Sequence, residues 1–511
     1  MSNASAHADV IARNRTRRRW RRLVLLVLGA VWAGMAYWHT HKSLPPGLHV
    51  ASPWRLVPAA NVAFIADITA ADAYGRPVMS HAIFDDVLAI IGSAQRFLVL
   101  DYFLFNDARG AASDAPARAL SSQLRDALIE RRKTIPDLRV LFITDPINDV
   151  YGGNPSQDLE MMRAAGIDVV VTDLDRLRDS NALYSSLWRL TLGWWNRGGI
   201  GEGWLPHPFD EDSRQVPFGA WARLLNLKAN HRKVIIGDDG RGQLVGVVAS
   251  ANPHDASSAH SNVAAKIHGA SLAPLLASEF EVARFSGWQG VIALDPQAEA
   301  LPDDSTQVLT GQFVRTQVIT EGAIRQAIVE RVDAAVRGDN VDIAMFYIAD
   351  RQVVGSLLEA SRRGVHVRLI LDPNKDAFGR EKNGLPNRPV ASELVAASDG
   401  QIHVRWYRTH GEQFHAKLVA VYGTDRVWMT LGSANLTRRN IGDYNLEANV
   451  AIEAARGSPL GTQVLEYFET LWSNRAALGI EYTADYAVYA DPSQGNYWLC
   501  RLMESTGLST F

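Results

Sequence analysis

Two stretches of this chain place the same residue types at the same spacing. The first runs Asn230-His231-Arg232-Lys233-Val234-Ile235-Ile236-Gly237-Asp238 and is followed by Ala249-Ser250-Ala251-Asn252. The second runs His415-Ala416-Lys417-Leu418-Val419-Ala420-Val421 and is followed by Gly432-Ser433-Ala434-Asn435. In each, histidine and lysine are two apart on an apolar, β-branched run, and the strand period of two turns both side chains to one face. Serine and asparagine are again two apart on the next run. Turn residues lie between, Asp238-Asp239-Gly240 in one copy and Gly423-Thr424-Asp425 in the other. Each copy therefore reads as a hairpin presenting His, Lys, Ser and Asn on one side.

That inventory suits a phosphate. A lysine cation and an asparagine amide stabilise charge on non-bridging oxygens. A histidine near its unperturbed pKa of about 6.5 serves as nucleophile or proton donor. Two such sets facing each other would clamp one phosphodiester from both sides, and a bell-shaped pH profile with limbs from the two histidines is expected.

The elements that must position these residues repeat as well. In the first half Phe97 to Phe103 reads as a buried strand, Leu120 to Arg132 as a helix, and Leu138 to Ile143 as a second strand ending in Thr144-Asp145-Pro146. In the second half Val341 to Tyr347, Val353 to Arg363 and Val365 to Leu371 repeat that order, ending in Leu371-Asp372-Pro373. Strand, helix and strand in the same order with the same ending predict two related α/β halves. The natural boundary lies between Asp295-Pro296 and Pro302-Asp303-Asp304.

With these residues in view, the chain resembles the phospholipase D superfamily, closest in kind to bacterial cardiolipin synthase and phospholipase D-like proteins. His231, Lys233 and Asp238 match its H-x-K-x4-D motif, His415 and Lys417 match the second copy, and Ser250, Asn252, Ser433 and Asn435 match the G-S-x-N element that follows. The resemblance spans roughly Phe97 to Glu447. It implies an α/β fold of two similar halves, each a mixed β-sheet flanked by helices, packed about a pseudo-two-fold axis. It also implies a mechanism: His231 attacks phosphorus to give a phosphohistidine, and His415 protonates the leaving alcohol and then activates the acceptor. The lysines carry charge at the phosphate, the Ser and Asn residues bind it, and Asp238 is structural. Neither metal nor cofactor is implied.

Three positions depart from the pattern. Tyr422 stands where the second motif would carry aspartate, and Ala249 replaces the glycine of G-S-x-N. The third departure bears on chemistry. Glu447 fits the carboxylate that orients and charges a catalytic histidine, but the same distance from Asn252 lands on Ala264, with Asn262 two residues earlier. The first histidine is therefore expected to lack a carboxylate partner, which is tolerable for a nucleophile or else the mark of a weakened site.

The N-terminus carries a dense basic block, Arg13 to Arg22, before an apolar run from Leu23 to Trp38. Arg21 and Arg22 can snorkel at one end while Tyr37 and Trp38 sit at headgroup level at the other. The expectation is a basic cytoplasmic segment (1–22), a single-pass anchor in the inner (cell) membrane (23–39) and a linker (40–54). Two halves (55–294 and 305–511) then lie on the extracytoplasmic, periplasmic side. A cleaved signal peptide, with Gly34-Met35-Ala36 as its site, or a twin-arginine signal stays open as an alternative. A net charge of -3 over 511 residues argues against a general nucleic-acid binder. The lone Cys500 excludes an internal disulfide and a cysteine-based metal cluster.

Members of that superfamily act on phospholipids or nucleic acids. A membrane anchor and a slightly acidic chain favour a phospholipid substrate, by transphosphatidylation to a lipid hydroxyl or by hydrolysis. No nucleic-acid partner is expected, and oligomeric state is not legible. The rivals are an exported nuclease and a non-catalytic lipid- or phosphate-binding protein. A long insertion between Asp145 and His231 holds Trp188, Leu190, Leu192, Trp194, Trp195, Trp204, Phe209, Phe218 and Trp221. It reads equally as a membrane-interface element or as a loop packing a small core of its own. The basic loop from Asn374 to Arg388, with Lys375, Arg380 and Lys382, reads either as a headgroup contact or as a solvated surface.

Overall fold

The computed structural model describes residues 2–108, 118–194, 203–209, 214–292, 311–377, 380–475, 479–509 and 511. The chain opens with helix α1 (Ser2–His41), which carries the arginine block and the apolar run on one continuous rod. Within it, Arg13–His41 is long and apolar enough to cross a membrane. The following segment runs onto the far half of the protein, where β1 (Arg55–Pro58) pairs with a strand of the second sheet. These first residues of the predicted N-terminal half thus join the C-terminal sheet. The expected boundary between the halves falls outside the described residues.

The first half builds a seven-stranded sheet from β2 (Val62–Asp67), β3 (Phe97–Tyr102), β4 (Arg139–Thr144), β5 (Asp168–Val171), β6 (Lys233–Asp238), β7 (Leu244–Ala249) and β8 (Asn262–His268), in the order β2-β8-β7-β6-β3-β4-β5. The second half supplies β9 (Phe313–Thr320), β10 (Asn340–Met345), β11 (His366–Leu371), β12 (Ile402–Tyr407), β13 (Lys417–Tyr422), β14 (Arg426–Gly432), β15 (Ala448–Ala455) and β16 (Thr483–Asp485). Its order, β1-β9-β15-β14-β13-β10-β11-β12-β16, repeats the first sheet strand for strand and adds one strand at each edge. In both, three parallel strands continue into an antiparallel run that carries the motif hairpin. The two halves the repeats predict are therefore present, with the same topology.

The sheets stack face to face. Val234, Ile236, Val248 and Val263 of the first meet Leu418, Ala420, Met429 and Val450 of the second in one continuous core. Their alternate residues turn outward onto helices. Ile235 and Val247 share one cluster with Leu124 and Leu128 of α2 (Leu120–Thr134), and Val419 shares another with Val353 and Leu357 of the helix Arg351–Arg362. A strand covered on both sides reads as an unbroken apolar run rather than an alternation. That is why β3 and β10 were legible as buried strands.

One buried charge cluster ties the halves together beneath the hairpins. Arg232, between the motif His and Lys, points away from them. It donates to Glu279 at 3.1 Å, Ser278 at 3.0 Å and Glu321 at 2.7 Å, all fully buried. Glu321 belongs to the second half and also accepts the backbone N–H of Glu447. Removing the guanidinium strands two carboxylates in the interior. We expect Arg232→Met to lower unfolding stability by about 3–5 kcal/mol, measured as a fall in the denaturation midpoint of the full chain in detergent.

The insertion turns part of its aromatic set inward and leaves part of it exposed. Val150, Val216 and Ala220 form a small cluster with Trp221 against it, and Trp188 is buried. Trp204, Phe209 and Phe218 stay exposed. Helix α3 (Ala182–Leu190), in the same insertion, packs against α1. The side chain of Trp194 and all of Trp195 lie outside the described residues.

Candidate active site

Each motif histidine sits just before its strand and is held there by the other half. His231 N–H donates to Leu446 C=O at 2.9 Å, and Leu446 N–H donates to Ala229 C=O at 3.0 Å. The mirror pair is His415 N–H to Ser261 C=O at 2.8 Å and Ser261 N–H to Gln413 C=O at 3.1 Å. The segment trailing each Ser-x-Asn element thus crosses to pair with the strand entry of the opposite half. Both imidazoles open into one cavity of about 1180 Å³, together with Asn252, Asn435, His254 and His260.

This crossing overturns the expectation that the first histidine lacks a carboxylate. Glu447 approaches Nδ1 of His231 at 2.9 Å and is itself fully buried, held by Ser433 and Asn440. His415 instead directs Nδ1 at the Asn262 side-chain oxygen, 3.1 Å away. Counting residues within one half assumed that each partner serves its own histidine, whereas the strands exchange at the dyad. The count also missed the equivalent position by two. Asn262 is the counterpart of Glu447, because Ser250 donates to it at 2.9 Å as Ser433 donates to Glu447.

The remaining motif residues divide by position. Asn252 and Asn435 line the cavity. The serines do not: Ser250 and Ser433 are fully buried and brace Asn262 and Glu447. Their expected direct contact with phosphate gives way to a supporting role, because the partner of the opposite histidine occupies that side of the hydroxyl. Lys233 and Lys417 lie behind the cavity wall, donating to the carbonyls of His231 at 2.6 Å and His415 at 2.9 Å. Asp238 is structural in the plain sense. It accepts the backbone N–H groups of Gln95, Arg96 and Phe97 and so fixes the start of β3. Tyr422, at the equivalent place, reaches Asp342 with its hydroxyl at 2.8 Å.

Two symmetric pairs escaped sequence reasoning. Phe103 and Phe346 each lie 4.9 Å from a motif imidazole, and the lysine of the same motif sits 5.0 Å over the same ring. Asp145 and Asp372 each accept, at 2.7 Å, the N–H of the residue before a motif histidine. The repeated Asp-Pro strand endings were the visible signal for the second pair. They read as strand endings because their partners lie 85 and 42 residues further along the chain.

Burial sets the electrostatics. It pushes His231 down to about 4 against the pull of Glu447, with Lys233 adding to the fall. Burial, then Lys417, His260 and Lys233, pushes His415 well below its ordinary value. Burial lowers Lys233 to about 7 and carries Lys417 well down, with Lys233 opposing its charge. Burial works against the charge on Glu447, yet His231, Lys233 and Asn440 hold its carboxyl below the usual glutamate range. The expected limbs near the free histidine value therefore move. In the free enzyme His231 is neutral above about pH 4, and Lys233 loses its proton as pH rises through about 7. A bound anionic phosphodiester favours the protonated lysines and His415, raising their pKa values. We expect kcat/KM to fall above about pH 7 while the alkaline limb of kcat lies higher, since the two report the free and bound enzyme respectively. Coincident limbs in a pH 4 to 9 series would contradict this.

Two stacked sheets of the same strand order, with paired His-x-Lys hairpins meeting at one cavity, form the two-half α/β arrangement that the motif resemblance implies. More particularly, residues 328–472 match the family described as cardiolipin synthase, phospholipase D-like domain. Among solved structures, the phosphatidylserine synthase of Haemophilus influenzae Rd KW20 aligns over 93% of this chain and 98% of its own, with a TM-score of 0.55 and 12% identity. A polyphosphate kinase from Porphyromonas gingivalis is similar over 87% and 53% (TM-score 0.42, 12% identity). Nuc, a phospholipase D family member from Salmonella typhimurium, is similar over 34% and 98% (TM-score 0.26, 20% identity). No curated protein matches the sequence. At these identities the likeness speaks for the fold, and the first structure carries it.

Proposed function

We propose that this chain transfers or hydrolyses phospholipid phosphodiesters, with cardiolipin-synthase-type transphosphatidylation as the favoured reaction. The observation that carries the reading is the convergence of His231 and His415 from separate halves on one cavity. His231 Nε2 attacks phosphorus while His415 gives its proton to the departing alcohol, leaving a phosphatidyl group on His231. His415 then takes a proton from the acceptor hydroxyl, whose oxygen attacks phosphorus and frees His231. Glu447 keeps the Nδ1 hydrogen of His231 in place throughout, so that the Nε2 lone pair faces the phosphorus.

Two features favour a lipid over a nucleic acid. Helix α1 is long and apolar enough to cross a bilayer and would hold the body, on the extracytoplasmic side, against it. The cavity wall is partly apolar, with Val150, Tyr151, Phe209, Leu224 and Leu227. Its cations are already engaged: Arg125 with Asp126 and Asp158, Lys228 with Asp179, Arg439 with the carbonyls of Leu227, Gly507 and Ser509, and Lys382 with Tyr347. A nuclease needs a continuous basic track to bind the backbone, and no such track runs along these residues. The partner of Lys382 is a neutral phenol rather than a carboxylate, which makes this residue of the basic loop the lining cation proposed to meet a headgroup.

The test supplies the purified full chain with phosphatidylglycerol vesicles and, separately, single-stranded DNA, with products identified by mass. Diphosphatidylglycerol plus glycerol supports transfer, and phosphatidic acid supports hydrolysis. Cleavage of DNA alone ends the lipid reading. Lipid binding with no turnover, unchanged in a His231→Ala, His415→Ala double variant, selects a non-catalytic binder.

A further inference from the structure

The C-terminal helix α4 (Gln494–Thr506) wears its apolar side outward. Trp498, Leu499 and Leu502 are 65%, 43% and 58% exposed and share one stripe, whereas Cys500 and Glu504 turn inward. Surface helices of globular proteins do the reverse. Its C-terminal end abuts the place where the anchor joins the body. A Cβ on Gly507 would stand 1.9 Å from the carbonyl oxygen of Ser180. The preceding residue, Asp179, donates its backbone N–H to His39 of α1 at 2.9 Å. Helix α3 begins two residues beyond Ser180, accepts the Trp32 indole N–H at the Leu183 carbonyl (3.2 Å), and exposes Leu183 and Leu187. Leu508, next to Gly507, is exposed as well. The apolar stripe of α4 thus starts at the anchor junction and extends about 13 Å from it. Arg439, in the cavity wall, grips the carbonyls of Gly507 and Ser509 and so couples the tail of α4 to the site.

We propose that α4 and α3 lie in the headgroup–acyl boundary of the bilayer that α1 spans, forming with it a three-part seat that holds the cavity at lipid headgroup level. The proposal rests on the membrane reading of α1 given above and names the surface from which that substrate would be drawn. The bilayer is the occupant because the stripe is continuous with a helix already suited to it. An aromatic ring and an arginine side by side, Tyr497 with Arg501 6.0 Å over it, match the headgroup layer.

The test uses the full chain carrying Cys500→Ser and Leu502→Cys, labelled at the new thiol with an environment-sensitive fluorophore. It is reconstituted in phosphatidylglycerol–phosphatidylcholine vesicles containing lipids brominated at shallow or deep acyl positions. Shallow bromines are expected to quench most of the emission and deep ones much less. A probe insensitive to brominated lipid overturns the proposal, and one that instead responds to protein density points to a second copy of the chain as the occupant. In a parallel arm, Trp498→Gln, Leu499→Gln and Leu502→Gln together are expected to cut turnover of vesicle lipid about tenfold and leave turnover of a dissolved short-chain lipid within about twofold. Equal effects on both substrates overturn it. Shallow quenching in a chain that turns over no lipid keeps the membrane seat and removes the proposed reaction instead.

Discussion

His231→Ala and His415→Ala should each lower turnover of an alkyl phosphodiester by at least about 10⁴-fold, because each imidazole makes or breaks a bond that water alone serves poorly. The two losses should part company when the leaving group no longer needs a proton. With a p-nitrophenyl phosphodiester, His415→Ala keeps its nucleophile and should release a burst of about one equivalent of p-nitrophenolate. It then stalls as the phosphohistidine, since the acceptor has lost its base. His231→Ala should show no burst. Rapid-mix absorbance together with acid-labile phosphate on the protein reads both outcomes. A burst in the His231 variant and none in the His415 variant would exchange the roles assigned to them.

The second large effect concerns a residue that never touches substrate. Glu447 faces His231 Nδ1 with one carboxylate while Ser433 and Asn440 occupy its other approaches. In Glu447→Gln the amide nitrogen must meet one of these donors. Against His231 it would donate to Nδ1, drive the hydrogen to Nε2 and remove the attacking lone pair. We expect kcat and kcat/KM to fall together by about 10²–10⁴-fold with KM little changed, the pattern of a wrong tautomer. Glu447→Asp, which keeps the acceptor, should recover part of the rate. A KM that rises as kcat holds would instead mean that Glu447 serves binding. The dyad-related site is built differently, with the Asn262 oxygen facing His415 at 3.1 Å. The two imidazoles therefore differ in what stabilises a positive charge on them: an anion beside His231, a dipole beside His415. A covalent phosphohistidine benefits more from the anion, in keeping with His231 as nucleophile.

Much of the architecture was legible because its causes are local. The buried strands at Phe97 and Val341 announce themselves as apolar runs, since sheets covered on both faces leave no polar positions. The hairpins are visible in the alternation of His and Lys, and their turns in Asp-Gly and Gly-Thr-Asp. The insertion was ambiguous for an equally physical reason. Its aromatic residues serve both a small core around Val150 and an exposed face, and composition does not separate the two.

What the sequence by itself determined was the inventory: two copies of His, Lys, Ser and Asn at matched spacings, on or just beyond the ends of paired strands, with a helix fit for a bilayer at the start. Only the tertiary structure decided which groups serve which histidine. Glu447 and His231 are 216 residues apart and meet because each half lends its strand entry to the other. The same crossing turned the two motif serines from presumed phosphate ligands into supports for the opposite imidazole. Residue type and spacing report what a segment can do among its neighbours along the chain, whereas partners across a dyad are set by how two sheets pack.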